Sequence, residues 1–126
     1  MSAGFALVLR PDASFEITEW PGNSRANLRT LYTAIGCTRV DVVDLSSKVS
    51  MWLDDDGMHT GSPVNRWATM LYAITAPLHQ HYYGTAVFTG GPDPQGDTTG
   101  LTLGRCAALL GLAGIDVPTI PHPRTN

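Results

Sequence analysis

Twice in this chain a short strand-like run meets turn residues and then runs back on itself, which leaves little room for the parallel crossovers of a doubly wound sheet. The first pair begins with Phe5-Ala6-Leu7-Val8-Leu9, an apolar run suited to a buried strand. Arg10-Pro11-Asp12-Ala13 supplies the turn, because proline fixes φ and the aspartate can hydrogen-bond nearby backbone. Ser14–Trp20 then alternates, with Phe15 and Ile17 on one face and Glu16 and Thr18 on the other. The second pair is Arg39–Leu45, rich in β-branched residues, and Val49–Leu53, joined at Ser46-Ser47. Asp54-Asp55-Asp56-Gly57 closes it with a turn dipeptide.

Helical spacing fills the intervals. Pro21-Gly22 breaks the second strand, and Asn23 or Ser24 can cap a helix whose apolar face is Leu28, Leu31, Tyr32 and Ile35. Gly36 stands where a left-handed C-cap belongs. Asn65 can cap a second helix carrying Val64, Trp67, Ala68, Leu71 and Tyr72 on one stripe, widened by Met70 and Ile74 and ended by Pro77. Thr85–Thr89 reads as a fifth strand. Gly90–Asp97 holds three glycines and two prolines, excludes regular structure and reads as a flexible connection. Thr98 or Thr99 then caps a third helix from about Leu101 to Leu112, with Leu103, Ala107 and Leu110 on one stripe and Leu109 and Leu112 on another. Gly104 and Gly111 weaken it by about 1 kcal/mol each unless a neighbour packs close there.

The order β-β-α-β-β-α-β-α predicts one α+β domain over residues 1–116, with a mainly antiparallel sheet built from hairpins and three helices on one face. Residues 117–126 form a proline-rich tail expected to be flexible.

Composition narrows the class of function. Eight basic against eleven acidic residues give a net charge of −3, which excludes the clustered cations of a strongly basic nucleic-acid binder. Cys37 and Cys106, with no CxxC spacing, read as small core residues in a reducing compartment. No apolar stretch approaches the roughly 18 residues needed to span a membrane, and no charged n-region precedes Phe5. A soluble cytoplasmic protein with no membrane partner is therefore expected.

Few residues point to chemistry. His79-Gln80-His81 could hold a metal on an extended backbone, but His59 and His122 lie far off in sequence and no third ligand has recognisable spacing. The aspartate run lacks the later glutamate of a calcium loop, since no Glu follows Glu19. Gly90–Gly96 matches neither phosphate-loop pattern, and no nucleophile elbow is present. No catalytic set and no cofactor is implied. Among the aromatics, Trp52 and Trp67 are expected in the core and Trp20, before Pro21-Gly22, partly exposed. Tyr82 and Tyr83 beside His79 and His81 either form an aromatic strip suited to a partner or tuck a helix end against the sheet.

Trp52-Leu53-Asp54-Asp55-Asp56-Gly57, Gly61-Ser62-Pro63-Val64-Asn65-Arg66-Trp67-Ala68, Tyr83–Gly90 and Asp97-Thr98-Thr99-Gly100-Leu101 together resemble the DUF3846 family, small proteins of phages, plasmids and actinobacterial mobile regions. The resemblance runs from Ala6 to Leu112 and points most sharply to Asn65 and Arg66. Its implication is a non-enzymatic accessory protein that binds a host protein or itself as a homo-oligomer, with Asn65 and Arg66 as the binding residues the resemblance suggests; the histidine and aromatic readings add Trp20, His79, His81, Tyr82 and Tyr83 as candidates. The alternative is a small-ligand binder for a nucleotide-like anion, using Arg66 at a helix N-terminus and the Gly90–Gly96 loop.

Overall fold

The computed structural model describes residues 4–58, 60–77 and 80–115. His59, His79, His122 and the tail 117–126 lie outside the described residues, so neither the histidine pair nor the expected flexibility of the tail is addressed by it. The elements are β1 (Gly4–Leu9), β2 (Phe15–Trp20), α1 (Ser24–Ile35), β3 (Val40–Ser46), β4 (Val49–Asp54), α2 (Arg66–Thr75), β5 (Ala86–Thr89) and α3 (Leu103–Leu112). They form one α+β domain around a five-stranded sheet in the order β2-β1-β5-β4-β3. Every pairing is antiparallel.

The hairpin signals act as expected. In the first, the Asp12 carboxylate accepts from both Ser14 N–H and Ser14 hydroxyl, which holds its carboxyl below the ordinary range. Asn23 caps α1 by accepting from Ala26 N–H, and Gly36 ends it at φ 78°.

Leu28, Val64, Met70 and Ile74, which spacing places on the apolar stripes of α1 and α2, are exposed, and three broader features of the packing also depart from the sequence expectation. The helices do not share one face. Leu31, Ala34 and Ile35 of α1 pack with Ala6, Val8, Val87 and Trp52 on one side of the sheet. Residues of α2 and α3 meet Leu7, Leu9, Met51, Leu53 and Phe88 on the other. Both faces of β1 and β5 are thus covered, which is why Phe5–Leu9 is continuously apolar instead of alternating.

The second departure is in α3. It is capped by Thr102, whose hydroxyl accepts from Arg105 N–H, and not by Thr98 or Thr99. Its buried face is Cys106, Leu109, Leu110 and Ala113, while Leu103, Ala107 and Leu112 look outward. Burial pushes the Cys106 thiol up to about 11, as befits a cysteine used as a small apolar side chain. A side chain at Gly111 would meet nothing within 4 Å, so no close neighbour explains that glycine.

The third is the tryptophans. Trp20 is the buried one at 3% exposure, whereas Trp52 and Trp67 are half-buried. Trp52 donates to the Thr89 hydroxyl at 2.9 Å, and Trp67 Nε1 finds no hydrogen-bond partner among the described residues.

Asn65 joins the pieces. It is 0% exposed; its Oδ1 accepts from Ala68 N–H, and its Nδ2 donates to Leu9 O and Gly84 O, both at 2.9 Å. One side chain therefore caps α2 and ties it to the end of β1 and the approach to β5. Asn65→Ala is expected to lose about 3 kcal/mol by leaving these groups unpaired in the interior, lowering Tm by about 10 °C. Thermal unfolding followed by circular dichroism measures this; an unchanged Tm would contradict it.

Candidate functional site

The glycine-rich segment after β5 is where the surface becomes concave. Gly90 N–H donates to Thr99 O at 2.9 Å, and Thr99 N–H and hydroxyl return bonds to Gly91 O. On its other side the same returning stretch exchanges two bonds with β1, Phe5 N–H to Leu101 O and Leu101 N–H to Phe5 O. Residues 98–101 are therefore inserted between the start of β1 and the continuation of β5. At the tip, Asp93 Oδ1 accepts from Gln95 N–H and Asp97 N–H. The segment is a fastened strap, not the loose connection its composition suggests.

Close backbone approach makes the insertion possible. A Cβ on Gly100 would lie 2.6 Å from Gly4 Cα, and one on Gly4 would lie 2.5 Å from Gly100 Cα. Gly90 and Gly91 press in the same way on Thr99 and on the Ser47 carbonyl. The indole of Trp20 then pins the strap by donating to Thr98 O at 3.0 Å.

Each side of the strap carries a cleft. The wider one has a volume of about 1160 Å³. Phe5, Trp20, Leu101 and Leu103 give it an apolar floor, and Glu19, Asp93 and Asp97 stand around it. Leu103 is 53% exposed there. The narrower cleft, about 310 Å³, has the opposite character: Lys48 and Arg105 line it together with Gly90, Gly91 and Thr102. A third, of about 220 Å³, brings His81 and Tyr83 beside Asp41, Asp54 and Asp55. Among the described residues no group of three or more His, Cys, Asp or Glu side chains is placed to hold a metal ion.

The residues singled out by sequence do not converge. Trp20 belongs to the wide groove, but as a buried wall whose ring nitrogen is already bonded. Asn65 is wholly interior and its amide is committed to backbone groups, so it offers a ligand nothing. Tyr82 is buried, meets Tyr72 edge-on with centroids 5.3 Å apart, and so belongs to the tucked arrangement instead of an exposed strip. Tyr83 is half-buried and His81 exposed, both at the third cleft, and His79 lies outside the described residues.

Arg66 is exposed, with its guanidinium 5.3 Å from the centre of the Trp67 ring. Asn65 beside it bonds at the approach to β5, whereas Gly90 follows the far end of that strand. The two halves of the expected anion site therefore sit at opposite ends of β5. Sequence reasoning missed Glu19, Lys48, Leu103 and Arg105, which only the strap's return brings into its two clefts. No signal in the sequence marked them, since spacing places Leu103 on an apolar stripe of its helix and its 53% exposure is visible only in the fold.

The strap yields a direct test. Gly100→Ala is expected to cost about 3 kcal/mol, since backbone on both sides would have to move. Gly111→Ala, in open space within α3, is expected to be neutral or to stabilise by up to about 1 kcal/mol. Equal effects in urea unfolding of the two variants would contradict the insertion.

A family model described as a domain of unknown function (DUF3846) matches residues 1–110, a span that contains every residue lining the groove. Comparison with curated proteins and with solved structures gives no match.

Proposed function

We propose that this chain, which belongs to the DUF3846 family, is a non-enzymatic accessory protein of a phage or other mobile element that works in the cytoplasm by binding a protein. The partner is a host protein or a second copy of the chain. The observation that carries the binding function is the wide groove, about 1160 Å³ with Phe5, Leu101 and the outward Leu103 on its floor. A large apolar depression on a small domain is a favoured place for a partner to bury surface. The groove also rests on a fixed scaffold, because residues 98–101 are bonded on both sides, so little ordering entropy opposes docking. The mobile-element setting rests on the family resemblance alone.

Site-specific photocrosslinking tests this reading. A photoreactive residue at Leu103 is expected to yield a discrete protein adduct in cells of the native host. The same residue at Leu28, which is exposed on α1 across the sheet, is expected to yield none. Adducts at both positions, or at neither, would overturn the groove as the docking surface.

A second reading has its own observation. Lys48 and Arg105 converge on the narrower cleft beside the first turn of α3, with no carboxylate among the described lining residues. That suits a nucleotide-like anion. Arg105 and Lys48, not Arg66, would be its cations. Thermal-shift measurements with nucleoside phosphates are expected to show stabilisation that Lys48→Ala/Arg105→Ala removes; no shift with any of them would dismiss it.

A further inference from the structure

The charged groups around the wide groove are of one sign. Glu19 at the end of β2 and Asp93 and Asp97 on the strap all line it, and no lysine or arginine does so among the described residues. Glu19 and Asp97 are exposed. Both ion pairs among the described residues lie elsewhere, Arg10 with Glu16 and Arg39 with Asp55. One Asp93 oxygen accepts the two backbone bonds at the strap tip, while the Glu19 and Asp97 carboxylates make no hydrogen bond or ion pair among the described residues. The cations near the strap, Lys48 and Arg105, line the cleft on its other side.

An apolar partner entering this groove would bring the three carboxylates close to a surface that excludes water. A neutral or acidic segment would leave them facing nothing or like charge, which opposes docking. A segment carrying lysine or arginine beside leucine-sized side chains satisfies both features, with apolar groups on Phe5, Leu101 and Leu103 and cations at Glu19, Asp93 and Asp97. The apolar floor and the three carboxylates are spread over a groove of about 1160 Å³, more room than a small compact ligand fills, which suits a peptide segment.

We infer that the groove between the end of β2 and the strap is a docking site for a basic, leucine-rich segment of a protein partner. This deepens the binding function proposed above and rests on it. The site reads charge through Glu19, Asp93 and Asp97 and gains contact area from the apolar floor. Because the three carboxylates come from two elements that the strap brings together, recognition depends on the folded chain and not on a linear acidic motif.

The test uses the full chain and three dye-labelled, end-capped peptides alternating leucine with arginine, serine or glutamate, read by fluorescence anisotropy at low ionic strength. The arginine–leucine peptide is expected to bind, more weakly as salt rises. The other two are expected to bind at least tenfold more weakly. Glu19→Gln/Asp97→Asn is expected to weaken the arginine–leucine peptide by about 2- to 5-fold per carboxylate, with little change in Tm because both side chains are exposed. Leu103→Ala is expected to weaken it as well. Equal binding of all three peptides, lost in Leu103→Ala, would overturn the basic specificity and leave the groove's binding role standing. Failure of every peptide to bind would overturn both. Tight self-association that excludes all peptides and is broken by Leu103→Ala would assign the groove to a second copy and overturn the inference.

Discussion

A contact between two backbones, with no side chain between them, underlies the two clefts that flank the strap of this protein. Residues 98–101 fit between the start of β1 and the continuation of β5 only because Gly4 and Gly100 lack Cβ atoms at their crossing. The energetic logic is that of a sheet extended by one short stretch: bonds to Phe5 on one side and to Gly90 and Gly91 on the other satisfy backbone groups that would otherwise meet water or nothing. From that insertion follow the position of α3, the pinning of the strap by Trp20, and the division of the surface into one apolar acidic groove and one cationic cleft.

Asn65 performs a comparable service at the other end of β5. Its amide occupies a place where a helix start and two strand ends need three hydrogen bonds at once. That explains why the Pro-x-Asn-Arg stretch draws the eye in the sequence: the asparagine is structural, while the arginine beside it is an exposed residue stacked near Trp67. A residue can stand out because the fold needs it, with no ligand involved. The same holds for Trp20, whose burial and bond to Thr98 make it a fastener of the groove wall.

Electrostatics gives the surface its direction. All three helices lack an acidic residue in the first turn, and Arg25, Arg66 and Arg105 stand there instead. Cations at the positive end of a helix are unfavourable by a few tenths of a kcal/mol or more each, so helix stability does not account for them. The carboxylates of the groove are likewise set apart from the cations, on the opposite side of the strap from Lys48 and Arg105. A small net charge of −3 thus conceals two local fields of opposite sign.

Local chemistry determined the hairpins, the antiparallel sheet, the caps of α1 and α2 and the order of elements, because turn residues, alternation and capping side chains act over a few positions. It could not decide which face each helix covers: a stripe of apolar residues says that a helix packs, not on which side of the sheet. The inward face of α3 is hidden in the sequence for a related reason, since an apolar helix with leucines and alanines all round has that face chosen by the sheet beneath it. The groove lay furthest from view. Phe5 and Glu19 lie near the start of the chain and Asp97 and Leu103 near its end, and they meet only where glycines let the strap return against β1.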